Sequence, residues 1–387
     1  MKSYSKVLQA EPSKTTLFKK EISGITYRIP ALIYINNSQT FLAFAEKRLS
    51  PRDNDATLLV MRRGTRQNGS IQWSPVQELN TACLPGHRTM NPCPVYEKNS
   101  KTLFLFFICV LGKTTECHQI CTGKNKARLC YVTTMDSGQN WSSAIDLTES
   151  VIGHQIENWA TFAVGPGHGI QMKSGRLIIP AYVYYIHYRC FPFRFPLCVK
   201  PHAFAFYSDD CGTTWYIGES LSTESCECEM AEIIDQESRS ELYCNARSTK
   251  GHRVEAFSES GGASFDKPHF AQKLVEPCHG CQGSVVSFVA IEEQGNCLTP
   301  STKTWLLYSH PTHRMKRMAL GVYLNKSPLS ASGWGKPWII HHGPSGYSNL
   351  TCEEGDCFAC LMECGEKSEL EEIAFVEFTV SNILNNQ

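Results

Sequence analysis

Thr134-Met-Asp-Ser-Gly-Gln-Asn-Trp141 and Ser208-Asp-Asp-Cys-Gly-Thr-Thr-Trp215 are two copies of one pattern, Ser/Thr-x-Asp-x-Gly-x-x-Trp. A third copy, Ser258-Glu-Ser-Gly-Gly-Ala-Ser-Phe265, has Ser260 in place of the aspartate and Phe265 in place of the tryptophan. In such a pattern the short polar side chains bond backbone amides, and the glycine adopts a positive φ. The aromatic ring then packs the following strand onto a core. A hairpin turn that recurs along a chain predicts a repeated β-structure.

Short β-type runs separate these turns and indicate an all-β chain. They are bounded by Gly, Pro, Asn or Ser and comprise residues 40–45, 102–108, 176–181, 284–289 and 305–308. Helical periodicity is nearly absent, and residues 223–234 are too interrupted to predict a helix. Aromatic residues follow turn-rich stretches at intervals of roughly 50 to 75 residues, at Trp73, Trp141, Trp215, Phe265 and Trp334. This spacing predicts a β-propeller of about six blades. A jelly roll or sandwich is the alternative, although neither requires the same turn at these intervals.

Composition limits the classes of protein to which the chain can belong. Its 387 residues suit one large β-domain spanning residues 1–387, with no linker signal inside it. Lysine plus arginine equals aspartate plus glutamate, 37 against 37, so no nucleic-acid partner is expected. The first residues lack the apolar core of a secretory signal, and the longest apolar run, residues 103–111, is about half a membrane span. We therefore expect a chain that is neither exported through an N-terminal signal nor membrane-spanning.

Nineteen cysteines raise the question of disulfides or metal binding. An unexported chain lies in a reducing compartment, so we expect free thiols and chance Asn-x-Ser/Thr matches. The spacing of Cys278-His-Gly-Cys281 and Cys357-Phe-Ala-Cys360 suggests zinc, but no second pair lies at a finger-like distance. We expect no metal, and no nucleotide or flavin cofactor.

Residues with catalytic potential are scattered along the chain, as a central propeller site requires. They lie in Tyr27-Arg-Ile-Pro30, in Glu46-Lys-Arg-Leu-Ser-Pro-Arg-Asp53, in Gly86-His-Arg-Thr-Met-Asn-Pro-Cys-Pro94, in Asn245-Ala-Arg-Ser248 and in Gly346-Tyr-Ser-Asn349. The Tyr-Arg-Ile-Pro, the eight-residue turns, the Asn-Ala-Arg-Ser and the Gly-Tyr-Ser together resemble the exo-sialidase (neuraminidase) family, in which the turns are called Asp boxes. The resemblance runs from about residue 25 to about residue 379. It is strongest to the vertebrate intracellular branch and, within it, to membrane-associated members that hydrolyse gangliosides.

The resemblance implies a six-bladed β-propeller and an arginine triad, Arg28, Arg247 and Arg317, that binds the carboxylate of the sugar. Guanidinium groups bind planar anions bidentately and keep their charge near neutral pH. Any one of the three alone could be a surface salt-bridge residue, and Arg314 and Lys316 adjoin the third. We expect all three on separate inner strands.

The same resemblance makes Tyr347 the nucleophile and Glu227 its base. A carboxylate nucleophile would be repelled by the carboxylate on the anomeric carbon, whereas a neutral phenol is not, and sialidases are the known exception among retaining glycosidases. A phenol of pKa about 10 needs a neighbouring base. Glu229 and Glu232 are rival candidates for that base.

Asp53 resembles the general acid and base for the leaving group, on a loop after the second strand, with Asp55 as an alternative. Glu46 and Arg48 are expected to extend the polar wall beside it. The family pattern also matches Met90 and Asn91 to the N-acyl pocket, and Glu116, Tyr182 and Tyr184 to the glycerol tail. It matches Gln282 to the aglycone side. Ser260 and Asn349 depart from the family pattern.

Residues 188–204 mix aromatic and basic side chains with Cys190 and Cys198. This composition suits a loop in a lipid headgroup layer, with acylated cysteines, or a lid over the sugar site. The expected partners are gangliosides, with sialoglycoproteins or oligosaccharides as further substrates, and the expected location is a membrane surface or the cytosol. A sialic-acid lectin is the rival function, because the arginines serve both. Only Tyr347, Glu227 and Asp53 separate an enzyme from a lectin.

Overall fold

Antiparallel β-strands, numbered in chain order, make up nearly all of the chain. The computed structural model describes residues 11–190, 195–294, 297–330, 332–353 and 355–386. Strand β1 (Lys14–Lys19) pairs with the last strand of the chain. The first complete sheet has the order β2 (Thr26–Ile35), β3 (Thr40–Arg48), β4 (Ala56–Gln67) and β5 (Ser70–Trp73), with β6 (Gln77–Glu78) beside β4.

Three further sheets follow with the same up-and-down order. The second contains β7 (His87–Glu97), β8 (Thr102–Leu111), β9 (Ala127–Thr134) and β10 (Ile145–Asp146). The third contains β11 (Trp159–Val164), β12 (Ile170–Gln171), β13 (Leu177–Cys190), β14 (Phe195–Ser208) and β15 (Tyr216–Ile217). The fourth contains β16 (Cys228–Ile234), β17 (Ser240–Ala246), β18 (His252–Ser258) and β19 (His269–Val275).

The last sheet has seven strands and joins the two ends of the chain. Its order is β20 (Ser284–Gln294), β21 (Cys297–Pro311), β22 (Met318–Asn325), β23 (Trp338–Cys352), β24 (Cys357–Cys364), β25 (Glu372–Thr379) and then β1. The first half of β23 pairs with β22 and the second half with β24, so two four-stranded units share this strand. Contacts between consecutive units run in a circle and return from β23 to β2. The arrangement is propeller-like, as the sequence predicted, and it is neither a jelly roll nor a sandwich.

Buried strands explain why the sequence runs are so apolar. Strand β8 is buried at all but its two end positions, because both of its faces pack against neighbouring sheets. All five sequence-predicted β-runs coincide with strands, namely β3, β8, β13, β20 and β21, and only Arg176, at the start of the third run, lies outside its strand. Helices are short in the described residues, α1 (Glu116–Thr122) and α2 (Val380–Leu384), and neither is long or apolar enough to cross a membrane.

The three eight-residue turns share one hydrogen-bond arrangement. Gly138, Gly212 and Gly262 have φ of 83°, 86° and 87°, which confirms the predicted left-handed glycine. In the first turn the Gly138 amide donates to the Thr134 hydroxyl at 3.1 Å, and the Asp136 carboxylate accepts two backbone amides at 2.9 Å. In the third turn Ser260 accepts the Ser264 amide at 2.9 Å, so the serine retains one of the bonds that an aspartate makes.

The aromatic residue that ends each tryptophan turn packs onto the preceding sheet. Trp215 contacts Phe106 of β8 with ring centroids 4.7 Å apart, and Trp141 contacts Phe44 of β3 at 6.0 Å. Trp215 is buried, and truncating such a residue to alanine typically costs about 3–5 kcal/mol. The turns therefore hold successive sheets in register around the axis.

Candidate active site

A cavity of about 360 Å³ lies where strand ends from all five sheets converge. Twelve of the fourteen sequence-predicted site residues line it: Arg28, Arg48, Asp53, Met90, Asn91, Glu116, Tyr182, Tyr184, Glu227, Arg247, Arg317 and Tyr347. Residues separated by more than 300 positions in the chain thus face one space.

Tyr347 and Glu227 form the centre of this cavity. Tyr347 lies on β23 at the irregularity between Ser345 and Ser348, where the strand passes from one four-stranded unit to the next. Its hydroxyl donates a short hydrogen bond to the Glu227 carboxylate, which lies one residue before β16. Arg247 donates to the other Glu227 oxygen at 2.6 Å and to the Tyr347 hydroxyl at 3.1 Å. A phenol, a carboxylate and a guanidinium are therefore in mutual contact.

Three arginines surround the tyrosine. The Arg28 and Arg317 guanidinium carbons lie 5.7 Å and 5.3 Å from the Tyr347 ring centroid, and Arg247 contacts its hydroxyl. Only Arg28 lies within a strand. The expectation of three inner strands is wrong for the other two, since Arg247 follows the end of β17 and Arg317 precedes β22. Strand ends lie beside the axis as well, which is why these residues still converge.

Glu363 holds Arg28 in place through a buried ion pair. This fully buried residue of β24 accepts from Arg28 Nε at 2.6 Å and from the backbone amides of Ile29 and Tyr347 at 2.9 Å and 3.0 Å. Burial alone would raise the pKa of Glu363, but Arg28 and the amides lower it below the ordinary value. The carboxylate therefore stays charged and ties Arg28 to the tyrosine backbone.

The electrostatic environment keeps the phenol protonated until a base acts on it. Burial raises the pKa of Tyr347 well above its usual value and Glu227 raises it further, while Arg247 and Arg317 act in the opposite direction. Burial would lower the pKa of Arg247, but Glu227 and Tyr347 raise it. Among the described residues, Arg317 has no carboxylate partner and bonds only the Gly280 carbonyl, at 3.1 Å. Its charge is available to an anion in the cavity.

Neither rival base contacts the tyrosine. Glu229 is fully buried and accepts from the Ser284 hydroxyl at 2.7 Å and from the Asn349 side chain at 2.6 Å. Glu232 accepts from the Ser240 hydroxyl at 2.5 Å on the far part of β16. Glu229 is held by Ser284 and Asn349, and Glu232 lies five residues beyond Glu227, so of these three carboxylates only Glu227 contacts the tyrosine hydroxyl.

Asp53 stands at the rim of the cavity on a 3₁₀ turn, Asp53–Asp55, between β3 and β4. It makes a short ion pair with Arg48, and its side chain is 71% exposed. Asp55 does not line the cavity and accepts from the Ser50 hydroxyl at 2.7 Å. The geometry therefore separates the two aspartates, because Asp53 lines the cavity that contains Tyr347 and Asp55 does not.

The other half of the cavity combines apolar and hydroxyl groups. Met90 and Asn91 contribute from β7, and Tyr182 and Tyr184 contribute from β13. Glu116 begins α1 at the cavity mouth. The residue as a whole is exposed, but the protein atoms packed around its carboxyl group desolvate that group and raise its pKa to about 7, and Glu227 and Asp53 raise it further.

Comparisons with known proteins agree with this arrangement. The family model described as a BNR repeat-like domain matches residues 39–359. Sialidase-3 of Bos taurus is 51% identical, with 96% of this chain and 93% of the relative covered. The chain belongs to the sialidase family. Sialidase-3 of Homo sapiens is 50% identical over the same shares of the two chains. The solved structure of the Hadza microbial sialidase Hz136 has a TM-score of 0.76 at 21% identity, covering 96% of this chain and 69% of that one, and shares the fold.

Two residues expected in this sialidase cavity lie behind its wall. Gln282 is 1% exposed, accepts the Ser348 amide at 3.0 Å and donates to the Pro166 carbonyl at 3.2 Å. It lies beneath the backbone that follows Tyr347 and does not line the cavity, so its expected place on the aglycone side is wrong. Glu46 is fully buried and bonds the Asn91 amide at 2.8 Å and Arg48 Nε at 2.8 Å. It supports the wall from behind and does not extend it.

Several cavity residues were missed by reasoning from the sequence. They include Arg88, Gln119, Phe162, Cys226 and Thr249. Arg88 stands in the quoted stretch 86–94 and could have been singled out, because its position two residues before Met90 puts it on the same face of β7. The others have no motif or charge pattern that points to the cavity.

A larger and more open depression of about 490 Å³ lies elsewhere, between β16–β17 and β21–β22. Its charged groups include Asp235, Arg239 and Lys326, and none of the predicted catalytic residues lines it. The Tyr347 cavity is the better candidate because its charged groups converge on one another and on the buried Tyr347 hydroxyl.

The cysteines and the aromatic residues of the segment 188–204 were also singled out in the sequence. No disulfide joins any of the eighteen cysteines whose side chains are described, and no group of three potential metal ligands occurs among the described residues. Cys190 is the last residue of β13, and Cys198 lies in β14, which pairs with β13. Phe191 and Phe193 lie outside the described residues, and so does the side chain of Phe195.

Proposed function

We propose that this chain is an exo-α-sialidase that hydrolyses terminal sialic acid with retention of configuration through a tyrosyl-enzyme intermediate. The observation that carries the proposal is the Tyr347 hydroxyl bonded to Glu227 within a cavity that also contains Arg28, Arg247 and Arg317. An anion-binding cluster alone would suit a lectin. A phenol bonded to a carboxylate within the same cavity as these arginines suits catalysis, because the carboxylate can take the phenolic proton as the oxygen attacks the sugar.

Sialic acid is an anion, and the arginines are the groups that recognise its carboxylate. Arg28 is held by Glu363 and Arg247 by the His279 carbonyl at 2.5 Å, so both are preorganised before the substrate binds. Arg317 supplies a charge that no described carboxylate neutralises. Charge-assisted bonds of this kind contribute about 1.5–3 kcal/mol each.

The first chemical step joins Tyr347 to the sugar. The phenolic oxygen attacks the anomeric carbon as its proton passes to Glu227. The bond to the leaving oxygen breaks, and Asp53 donates a proton to that oxygen. Because the phenol is neutral, it is not repelled by the sugar carboxylate that the arginines hold beside it. The high pKa of the phenol makes Glu227 necessary.

The second step releases the sugar. Asp53, now a carboxylate, removes a proton from water as the water oxygen attacks the anomeric carbon. The bond from the sugar to Tyr347 breaks, and Glu227 returns its proton to the phenolic oxygen. Two inversions give net retention, and the products are free sialic acid and the alcohol that carried it.

The remaining cavity residues suit the rest of the sugar. We assign Met90 and Asn91 to the N-acyl group, and Glu116, Tyr182 and Tyr184 to the hydroxyls of the glycerol tail, because all five line the cavity. We assign the four-stranded units to six blades and the eight-residue turns to Asp boxes, supported by the shared strand β23 and the repeated Gly–hydroxyl bonds.

Gangliosides are the proposed preferred substrates, at a membrane surface, with sialoglycoproteins and oligosaccharides as further substrates. Identity of 51% to Sialidase-3 across nearly the whole chain supports this choice, together with the resemblance of the sequence to ganglioside-hydrolysing members. The cavity rim near Asp53 is open, so an aglycone of lipid type can extend away from the site.

A fluorogenic sialoside tests the enzymatic proposal. Purified protein should release the fluorophore between about pH 4 and pH 7, the range in which a carboxylate base and acid act together. Proton nuclear magnetic resonance should detect the α-anomer of sialic acid before mutarotation. Binding of the sugar without any release would favour the lectin, and initial release of the β-anomer would refute retention.

Substrate preference is tested with a matched pair of compounds. Free sialyllactose and the ganglioside that carries the same trisaccharide on ceramide differ only in the lipid. We expect a higher kcat/KM for the ganglioside in mixed micelles. Equal values would remove the ganglioside preference and leave the sialidase activity intact.

A further inference from the structure

Arg253 and Glu276 form an ion pair in which both side chains are 0% exposed, with Nη1 and Oε1 2.7 Å apart. Neither residue lines the cavity. A fully buried ion pair is costly to form in water-excluded surroundings, and apolar residues of similar volume often serve stability equally well. We therefore expect a role of this ion pair other than stability.

The pair holds the backbone on both sides of Arg247. Glu276 Oε1 accepts the amide of Ser248 at 3.2 Å, and Arg253 Nε donates to the side-chain oxygen of Asn245 at 2.7 Å. Arg247 lies between these two anchored positions. Any displacement of the ion pair would therefore move the segment that carries an arginine of the cavity.

The same pair closes the loop 276–281. Glu276 Oε2 accepts the amide of Cys281 at 2.9 Å, and Arg253 Nη1 donates to the carbonyl of Cys281 at 2.6 Å. The Cys281 side chain packs with Ile29 and Tyr347 in one buried cluster. Both ends of the loop are thus attached to one point beside the nucleophile.

Two consecutive carbonyls of this loop bond two of the three arginines. The His279 carbonyl accepts from Arg247 Nε at 3.2 Å and Nη2 at 2.5 Å, and the Gly280 carbonyl accepts from Arg317 Nη2 at 3.1 Å. His279 and Gly280 both have left-handed backbones, with φ of 69° and 72°. A Cβ on Gly280 would lie 2.7 Å from Arg247 Nε, so the loop lies directly against the guanidinium.

We propose that Arg253 and Glu276 are positioning residues, which set the spacing of Arg247 and Arg317 and so determine affinity for the sugar carboxylate. The inference rests on the proposed function, because it assigns those arginines to carboxylate binding. The pair acts through the 276–281 loop and through the backbone at residues 245–248, and it does not touch the substrate. Both routes lead to the guanidinium group of Arg247. An ion pair that only filled the core would have no such connection to the cavity.

The test compares three variants of the full chain. Glu276→Gln removes the charge, and the double variant Arg253→Met with Glu276→Leu replaces the pair by apolar side chains, with thermal unfolding of each variant measured beside the wild type. Glu353→Gln is the matched control, because Glu353 is a largely buried carboxylate bonded to Arg66 at 2.5 Å and does not line the cavity. Steady-state kinetics use the fluorogenic sialoside, and calorimetry measures binding of free sialic acid.

We expect KM and the Kd for sialic acid to rise together, roughly tenfold to a hundredfold, in both variants of the pair, because a ~1 Å misplacement can cost about 10². The kcat should change less than KM, and the control should match the wild type. Folded variants with KM and Kd within twofold of the wild type would overturn the proposal. Failure of both variants to fold at low temperature would assign the pair to stability and overturn it as well.

Failure of the proposed function gives a different result. In that case the wild type and Glu353→Gln release no fluorophore, while the calorimetric comparison still measures whether the pair controls binding of the sugar. A double variant that has the melting temperature of the wild type but a weaker affinity for sialic acid is the result that only a positioning role produces.

Discussion

Tyr347→Phe removes one oxygen atom from the centre of the cavity and leaves the ring in place among Ile29 and Cys281. The hydroxyl makes two contacts, a short bond to Glu227 and a 3.1 Å bond from Arg247. Glu227 keeps its 2.6 Å bond to Arg247, so the carboxylate is not left unpaired. Loss of one hydrogen bond to a charged group costs about 1.5–3 kcal/mol. We expect a melting temperature lower by only a few degrees.

The catalytic effect of Tyr347→Phe should be far larger than its effect on stability. Without a nucleophile, only direct attack by water remains, and loss of a nucleophile elsewhere costs about 10⁶ in kcat. We expect kcat to fall at least 10³-fold, roughly 4 kcal/mol of transition-state stabilisation. The three arginines keep their own partners at Glu363, His279 and Gly280, so the Kd for free sialic acid should change by less than about fivefold, roughly 1 kcal/mol.

The assay measures both quantities on one preparation. Fluorophore release gives kcat, and calorimetry gives the Kd for sialic acid. A fluorinated sialosyl fluoride, which slows the second step, should label a peptide containing Tyr347 in the wild type and leave the variant unlabelled in mass spectrometry. A variant with kcat within tenfold of the wild type, or a label on another residue, would refute the nucleophile assignment.

Three further predictions concern carboxyl groups in and below the cavity. Asp53→Asn should lower kcat at least a hundredfold, whereas Asp55→Asn, outside the cavity, should leave kcat within threefold, measured with the fluorogenic sialoside. Above pH 7 the ionised Glu116 should weaken binding of the anionic sugar, so KM should rise with pH in the wild type and stay flatter in Glu116→Gln; parallel curves would contradict this. Asn349→Asp places a second carboxyl against Glu229, whose pKa is already raised by burial. The variant should therefore have a lower melting temperature at pH 7 than at pH 5. An equal decrease in melting temperature, relative to the wild type, at both pH values would contradict this.

The sign of the last prediction follows from proton binding. A carboxyl whose pKa is raised on folding binds more protons in the native state than in the unfolded state, over the range between the two pKa values. Stability conferred by the protonated form is therefore complete below the unfolded pKa near 4 and is lost as the pH rises through the folded pKa. Thermal unfolding at pH 5 and pH 7, with wild type beside Asn349→Asp, measures this difference.

The sequence predicted the turns and strands well because these are local features. Gly138 and Gly212 need a positive φ that the pattern itself announces, and residues 102–108 are apolar because β8 is buried on both faces. Convergence of Arg28 and Tyr347 is not local, and it was inferred from a family resemblance. The inner-strand positions of Arg247 and Arg317 were wrong, since runs of alternating residues do not show where a strand ends beside the axis.

The orientation of the Gln282 side chain could not be predicted from its sequence context. Its sequence context, between Cys281 and Gly283, matches a family motif, but a motif does not state whether a side chain points into a cavity or below it. Here the Gln282 side-chain oxygen accepts the Ser348 amide, and the side-chain nitrogen donates to the Pro166 carbonyl, so the side chain lies beneath the backbone that follows Tyr347. Arg253 and Glu276 were missed for the same reason, because an ion pair formed across 23 residues has no sequence signature.

Asn349 had no explanation from the sequence, where related chains often have aspartate, and its contacts supply one. The side-chain oxygen accepts the Leu32 amide at 2.7 Å, and the side-chain nitrogen lies 2.6 Å from Glu229 and 3.1 Å from the Ser284 hydroxyl. An amide provides an acceptor and a donor at once, whereas an ionised aspartate provides only acceptors. In this chain the Asn349 side chain meets both needs at once, accepting the Leu32 amide and donating to the buried Glu229, two residues from Tyr347, and these contacts account for the departure from the family pattern.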